Sequence, residues 1–240
     1  MVIETDKKLP IGNRLLATLP ENEFSRLLLP HLESVELRQG QLIYAARQTI
    51  DYAYFPVTAL LSRIVSSREG ELVEAGVYGN EAMAGITLLL GRDISPYLVQ
   101  VQIAGTALRV KADVLKNLCS KAPSLQNRLL RYAYTGMVQL AQAAICNRFH
   151  TVEQRLSRWL LMAHDRIQSD QIPLTKDILA ALIGAGRPRV SIVVGSLQEA
   201  GLIRSRRGTI TIINREGLAE ASCECYQILR EEIDILLNHH

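Results

Sequence analysis

The sequence is sparing with the residues that usually announce chemistry. Its four cysteines, Cys119, Cys146, Cys223 and Cys225, form no Cys-x-x-Cys pair, and none precedes Cys119. Cys223-Glu224-Cys225 has neither a second pair nor a histidine near it in sequence, so no tetrahedral zinc site is read from it. Idle thiols in a reducing compartment are the expectation, with redox sensing by Cys223 and Cys225 as the alternative. His31, His150 and His164 are isolated from one another, and the terminal His239-His240 is given no metal role. Gly-x-Ser-x-Gly, a phosphate loop ending in Gly-Lys-Ser/Thr and His-Glu-x-x-His are all missing, so no catalytic residue is assigned and an enzyme is not expected. Gly184-Ala185-Gly186 is a lone fragment without the strand of a dinucleotide fold. The longest apolar run, Ala82 to Leu90, is too short to cross a bilayer. The opening MVIETDKKLPIGN is too polar for a secretory signal, which points to a cytoplasmic protein with no membrane partner.

What is present suits two modest domains. The chain has 240 residues, 48% of them hydrophobic, and a net charge of only +3. A short helix is expected first, with Pro20 in its first turn and Phe24, Leu27 and Leu28 inward. From Val35 to Val110, short segments rich in Val, Ile, Tyr and Leu alternate with Gly40, Gly70, Gly79, Gly91 and Gly105, as in a small β-roll. Examples are Leu42–Tyr44, Tyr52–Phe55, Leu72–Tyr78 and Leu98–Ile103. From Ser124 to Arg148 proline is absent, and Leu130, Tyr134, Met137, Ala141 and Ile145 make a stripe near coiled-coil spacing. A long helix there could pair with its copy in a second chain through 124–148, or pack on its own roll. Val152–Ile167 reads as a further helix, with Trp159 as core anchor. Tyr226 to Leu237 reads as a last helix on the C-terminal domain or on a partner subunit. The division is 1–122 for the roll, 123–149 for the connecting helix and 150–240 for the C-terminal domain.

The most informative block runs from Leu174 to Ile213. Thr175 is a plausible N-cap, with Ile178, Leu179 and Leu182 at helical spacing behind it. Gly184 and Gly186 permit a sharp turn, and Val190, Val194 and Leu197 then line one helical face. Pro188 is tolerated in the first turn of that second helix, where its missing N–H has no intrahelical partner to lose. A hairpin follows, with Arg204-Ser205-Arg206-Arg207-Gly208 at its tip. Helix, turn, helix and hairpin in this order outline a winged helix-turn-helix, which presents its second helix to the DNA major groove. Between Ile172 and Glu216 seven basic residues face three acidic ones, so much of the chain's small positive excess sits here. Arginine at the start of such a helix can bond guanine bidentately, whereas hairpin arginines suit phosphates. The alternatives are a solvated basic face, or a small-molecule-binding or protein-interaction module whose winged helix meets protein instead of DNA.

Taken together, the order of β-roll, long helix and winged helix resembles the Crp–Fnr superfamily of bacterial transcription regulators over nearly the full length. The motifs most specific to the resemblance are Thr151-Val152-Glu153-Gln154-Arg155-Leu156 with Trp159-Leu160-Leu161, and Leu174-Thr175 through Ala200-Gly201-Leu202-Ile203. Tyr54-Phe55-Pro56 and Gly79-Asn80-Glu81-Ala82-Met83-Ala84-Gly85 carry it more loosely in the roll. It implies an α+β fold: an N-terminal cyclic-nucleotide-binding-like β-roll (jelly-roll), a long dimerisation helix and a C-terminal winged helix-turn-helix. It also implies a homodimer acting at promoters, with RNA polymerase a possible further partner. Arg187, Pro188, Arg189, Ser191 and Ile192 take the base-facing positions, and Thr175 and Lys176 positions at the DNA backbone.

Two departures qualify this. Family members often carry a glutamate after the first arginine of the recognition helix, where this chain has Pro188, so recognition shifts toward Arg187 and Arg189. Members that bind cyclic AMP share a Gly-Glu pair and a later Arg-Ser. Here Gly79 and Glu81 stand for the first, but Tyr97 and Leu98 occupy the second, and the nearest arginine in sequence is Arg92. Gly79, Glu81, Tyr97 and Leu98 are therefore the candidate effector pocket, cyclic AMP is not expected, and no cofactor is assigned. No cysteine cluster near the start and no histidine between His31 and His150 serve iron–sulfur or haem sensing.

Overall fold

The computed structural model describes residues 12–238; the N-terminal residues through Ile11 and the pair His239-His240 lie outside them. A 3-10 turn over Leu16–Thr18 precedes α1 (Glu21–Glu23), which continues as a wider turn over Phe24–Leu28. Phe24 and Leu28 are buried as the spacing predicts, but Pro20 is the N-cap of α1 and stands one position before its first turn.

Among the described residues seven strands build the roll: β1 (Glu33–Leu37), β2 (Leu42–Tyr44), β3 (Tyr52–Pro56), β4 (Leu60–Ser66), β5 (Leu72–Tyr78), β6 (Leu98–Ile103) and β7 (Gly105–Lys111). They form two antiparallel sheets, ordered β1-β7-β3 and β2-β6-β4-β5. Leu37, Phe55, Ala107 and Val110 from the first sheet share one core with Leu61, Val99 and Val101 from the second. Packing of two inner faces gives the jelly-roll its stability. The second sheet is covered on its other side as well: Leu60, Val77 and Ile103 belong to the core of the C-terminal domain.

Beyond the roll, α2 (Ala112–Lys121) leads into α3 (Pro123–Phe149), a helix of 27 residues with proline at its first turn. At 1.5 Å per residue it is about 40 Å long. The next helix, α4 (Val152–Ile167), starts at a capping box in which Thr151 and Gln154 satisfy each other's backbone N–H groups. Its Trp159, Leu160 and Leu161 are buried in the C-terminal core. Then come β8 (Gln171–Ile172), α5 (Lys176–Ile183), α6 (Arg187–Glu199), the hairpin β9 (Ile203–Arg206) and β10 (Thr209–Ile212), α7 (Arg215–Glu220) and α8 (Cys225–Asn238). The small sheet is ordered β8-β10-β9.

The last helix reaches further than its spacing suggests. Tyr226 and Leu229 of α8 enter the C-terminal core, while Leu236 joins the roll core. Arg128 of α3 donates to the carbonyl of Leu236 at 2.6 Å. α8 thus lies along α3 of its own chain as well as on the C-terminal domain. No single helix among the described residues is long and apolar enough to cross a membrane.

Candidate nucleic-acid interface

The turn between α5 and α6 changes the chain direction by 108°, within the range of a helix-turn-helix. Thr175 caps α5 by accepting from the N–H of Ile178 at 3.3 Å. Gly184 ends it with φ 63°, in the left-handed region where a glycine carries no Cβ penalty. Val190, Val194 and Leu197 of α6 are buried, which turns the opposite side of that helix outward. Arg187, Pro188, Arg189 and Ile192 are exposed there, and Ser191 is half-buried at the edge. Pro188 sits in the first turn and leaves the helix unbroken.

The hairpin turns on only two residues, Arg207 and Gly208, both at positive φ (46° and 79°). This is the geometry of a tight hairpin whose twist matches its strands. Arg204 and Arg206 consequently lie on β9 rather than at the tip, and all three arginines are exposed. The tip abuts α5, since a Cβ at Gly208 would stand 3.7 Å from the Thr175 methyl. Gln198 of α6 accepts from the Ser205 N–H of β9. Arg187 forms an ion pair with Asp177 in the first turn of α5. Together these contacts set the starts of α5 and α6 and the wing side by side, with Lys176 half-exposed among them. Both partners of the Arg187–Asp177 pair are about two-thirds exposed (65% and 66%), so the pair is weak and open to exchange. Arg189, Arg204, Arg206 and Arg207 form no ion pair among the described residues.

The effector candidates divide into two groups. Glu81 pairs with Arg166 of α4 at 2.9 Å, with both side chains about 95% buried (5% and 4% exposed). Gly79 is pressed against the same arginine, because a Cβ there would come within 2.5 Å of its Cδ. Glu81 is therefore engaged by the C-terminal domain of its own chain. Tyr97 lies instead beside Arg63 of β4, whose guanidinium carbon is 5.4 Å from the Tyr97 ring and 5.3 Å from the Tyr78 ring. Leu98 begins β6, opposite Ile64. Arg63 was not legible as a site residue: it is distant from Tyr97 in sequence, and only the pairing of β4 with β6 brings the two together. It is 4% exposed and donates to Gln139 of α3 at 2.6 Å.

A second buried carboxylate joins the domains. Glu74 of β5 accepts from the indole N–H of Trp159 at 2.9 Å and from the Ser62 hydroxyl. Burial pushes its pKa up to about 7, partly offset by those two hydrogen bonds. The turn after α5 also rests on the roll, where a Cβ at Gly184 would contact Val73 of β5 at 3.5 Å. For Glu81→Ala, an uncompensated Arg166 charge is left in the interface. The expected loss is about 3–5 kcal/mol of stability, read as a lower denaturant midpoint; a loss below ~1 kcal/mol would count against a structural role for the pair.

The cysteines are where the structure corrects the sequence reading most. Cys223 and Cys225 do have a histidine beside them. His150 Nδ1 is 3.6 Å from Cys225 Sγ, and Cys146 Sγ is 3.6 Å from Cys223 Sγ. Cys146 lies in the last turn of α3 and His150 is its C-cap, whose backbone N–H donates to the Cys146 carbonyl.

A family model of the Crp-like helix-turn-helix domain matches residues 154–221. Transcriptional regulator SdrP of Thermus thermophilus is 28% identical over 196 residues, which are 78% of this chain and 93% of that protein. The solved structure of FixK2 from Bradyrhizobium japonicum superposes with a TM-score of 0.68 at 15% identity, covering 80% of this chain and 98% of that one. TTHB099, a CRP-family regulator also from Thermus thermophilus, gives a TM-score of 0.63 at 16% identity, with 78% and 96% covered. At such identities the structural matches show a shared fold.

Proposed function

With a Crp-like helix-turn-helix domain set on a Crp/Fnr-type fold, we propose that this chain is a homodimeric, sequence-specific transcription regulator that lays α6 in the major groove. The observation that carries the reading is the outward face at the start of α6, flanked by the wing and by the N-cap of α5. In this reading Arg187 and Arg189 bond base edges, Pro188 and Ile192 supply apolar contact, and Ser191 accepts or donates at the edge. Thr175 and Lys176 meet the DNA backbone, and Arg204, Arg206 and Arg207 neutralise phosphates along the flank. The similarity to a protein named a transcriptional regulator supports the assignment, and the reading includes no catalytic step.

Dimerisation is supported by α3. Leu130, Tyr134, Met137 and Ile145 are exposed by 39%, 60%, 67% and 44%, and Ala141 is exposed on the same stripe. An apolar helix face of this kind is an unpaired coiled-coil seam. A two-fold axis along it would present two copies of α6 to successive half-sites.

The roll is the sensing part in this reading. Cyclic AMP is not its effector here, because Glu81 is engaged by Arg166 and Tyr97 and Leu98 occupy the arginine–serine position. Arg63 has no carboxylate partner among the described residues, which favours an anionic small molecule at the boundary of roll and α3.

Salt dependence tests the reading. Binding to a duplex bearing a natural site should weaken linearly in log–log form as salt rises, because phosphate contacts release counterions. Arg206→Ala should weaken binding to every sequence alike and reduce the slope by about 1 per subunit. Absence of binding at low salt would sink the regulator reading.

A further inference from the structure

From the placement of four side chains at the hinge between α3 and α4, we propose a tetrahedral Cys3His metal site, formed by Cys146, His150, Cys223 and Cys225 and suited to one zinc ion. The three sulfurs and one ring nitrogen all lie within 4.8 Å of one another. A tetrahedral zinc ion with bonds of about 2.3 Å to sulfur and ~2.0 Å to nitrogen needs donor separations of roughly 3.5–3.8 Å. The Cys146–Cys223 and Cys225–His150 separations, both 3.6 Å, already meet that requirement. An iron–sulfur cluster is a poorer fit, because several irons and sulfides must stand between its thiolates.

The surroundings are those of a ligand set. All three thiols are buried, at 0%, 3% and 0% exposure for Cys146, Cys223 and Cys225. The His150 side chain is 10% exposed. Its Nδ1 points toward the sulfurs while Nε2 lies 3.2 Å from the Glu224 carboxylate. A carboxylate on the outer nitrogen fixes the tautomer that leaves Nδ1 free to bind metal. Zinc entry would release the thiol protons to solvent and leave three thiolates on a divalent ion, a net charge of −1 that Arg158 and Arg155 stand near enough to balance.

The placement gives the site a task. Cys146 lies in the last turn of α3, His150 is its C-cap, Thr151 caps α4 immediately afterwards, Cys225 is the first residue of α8 and Cys223 stands two positions before it. One ion would therefore tie the long helix, the entry to the helix-turn-helix domain and the C-terminal helix into one unit. This inference does not depend on DNA being the ligand of α6.

The test is metal analysis of the full chain, zinc-loaded in reducing buffer and washed, alongside cobalt reconstitution. About one zinc per chain is expected, and cobalt should give thiolate charge-transfer bands with the intense visible absorption of a tetrahedral site. Cys223→Ser and Cys225→Ser should lose both, whereas Cys119→Ser, altered at a distant buried thiol, should keep them. Glu224→Gln should weaken metal affinity about 10–100-fold while retaining the cobalt spectrum. The wild-type cobalt spectrum tests the site even if a cysteine variant fails to fold. Substoichiometric zinc in the folded wild-type chain, octahedral cobalt, equal retention by Cys223→Ser, or an iron–sulfur chromophore would each overturn the proposal.

Discussion

Arg187→Ala is expected to abolish most discrimination between a cognate site and random DNA. Each bidentate arginine–guanine contact is worth about 1–3 kcal/mol, and a homodimer makes it twice, so the cognate site should lose roughly 2–6 kcal/mol. Affinity for random duplex should fall far less, since that depends mainly on phosphate contacts. The ion pair with Asp177 does not blunt this expectation, because both partners are largely exposed and such pairs contribute at most about 1 kcal/mol. Asp177→Ala is thus a useful companion, expected to leave discrimination intact. Competition titrations with cognate and scrambled duplexes read both outcomes. Equal losses on the two duplexes would remove Arg187 from the base-reading role and leave it as a phosphate contact.

Met137→Glu is expected to convert the proposed dimer into a monomer. Met137 is the most exposed side chain of the α3 stripe, at 67%, so the change costs the folded monomer little, within ~0.5 kcal/mol. In a parallel pair of α3 helices it would bring two carboxylates together in an apolar seam, where unpaired charges are costly to desolvate. Loss of the second subunit removes the linkage between half-sites, and a linkage of this kind is worth about 10²–10⁴ in affinity. Light scattering should show halved mass, and the cognate site should be bound correspondingly more weakly. A dimer that survives Met137→Glu and also Tyr134→Glu would place the subunit interface elsewhere.

Local patterning explains what could be read from the chain without its structure. α4 has the bounds of the apolar pattern from Val152 to Ile167 because a capping box starts it and a left-handed Gln168 stops it. α6 and its buried Val190, Val194 and Leu197 were legible for the same reason: one face packs and the other does not. β4 was not singled out. Both its faces are covered, by Leu61 in the roll core and Leu60 in the C-terminal core, so it lacks the alternation of a half-exposed strand. The engagement of Glu81 by Arg166 and of Tyr97 by Arg63 depends on chain segments far apart in sequence, and no spacing rule reports such pairs. The cysteine–histidine cluster is not legible in the sequence on the same ground. Its ligands come from the end of α3 and the start of α8, with His150 and Cys223 73 positions apart, and the donors meet only because α8 folds back along α3.

Selection of bound duplexes from a random library tests the central claim most directly. A homodimer that reads DNA through α6 should enrich an inverted repeat whose half-site centres lie one helical turn apart, about 10–10.5 base pairs, or a multiple of it. The enrichment should vanish with Arg187→Ala. Recovery of no preferred sequence at low salt, or of a single unrepeated site, would contradict it.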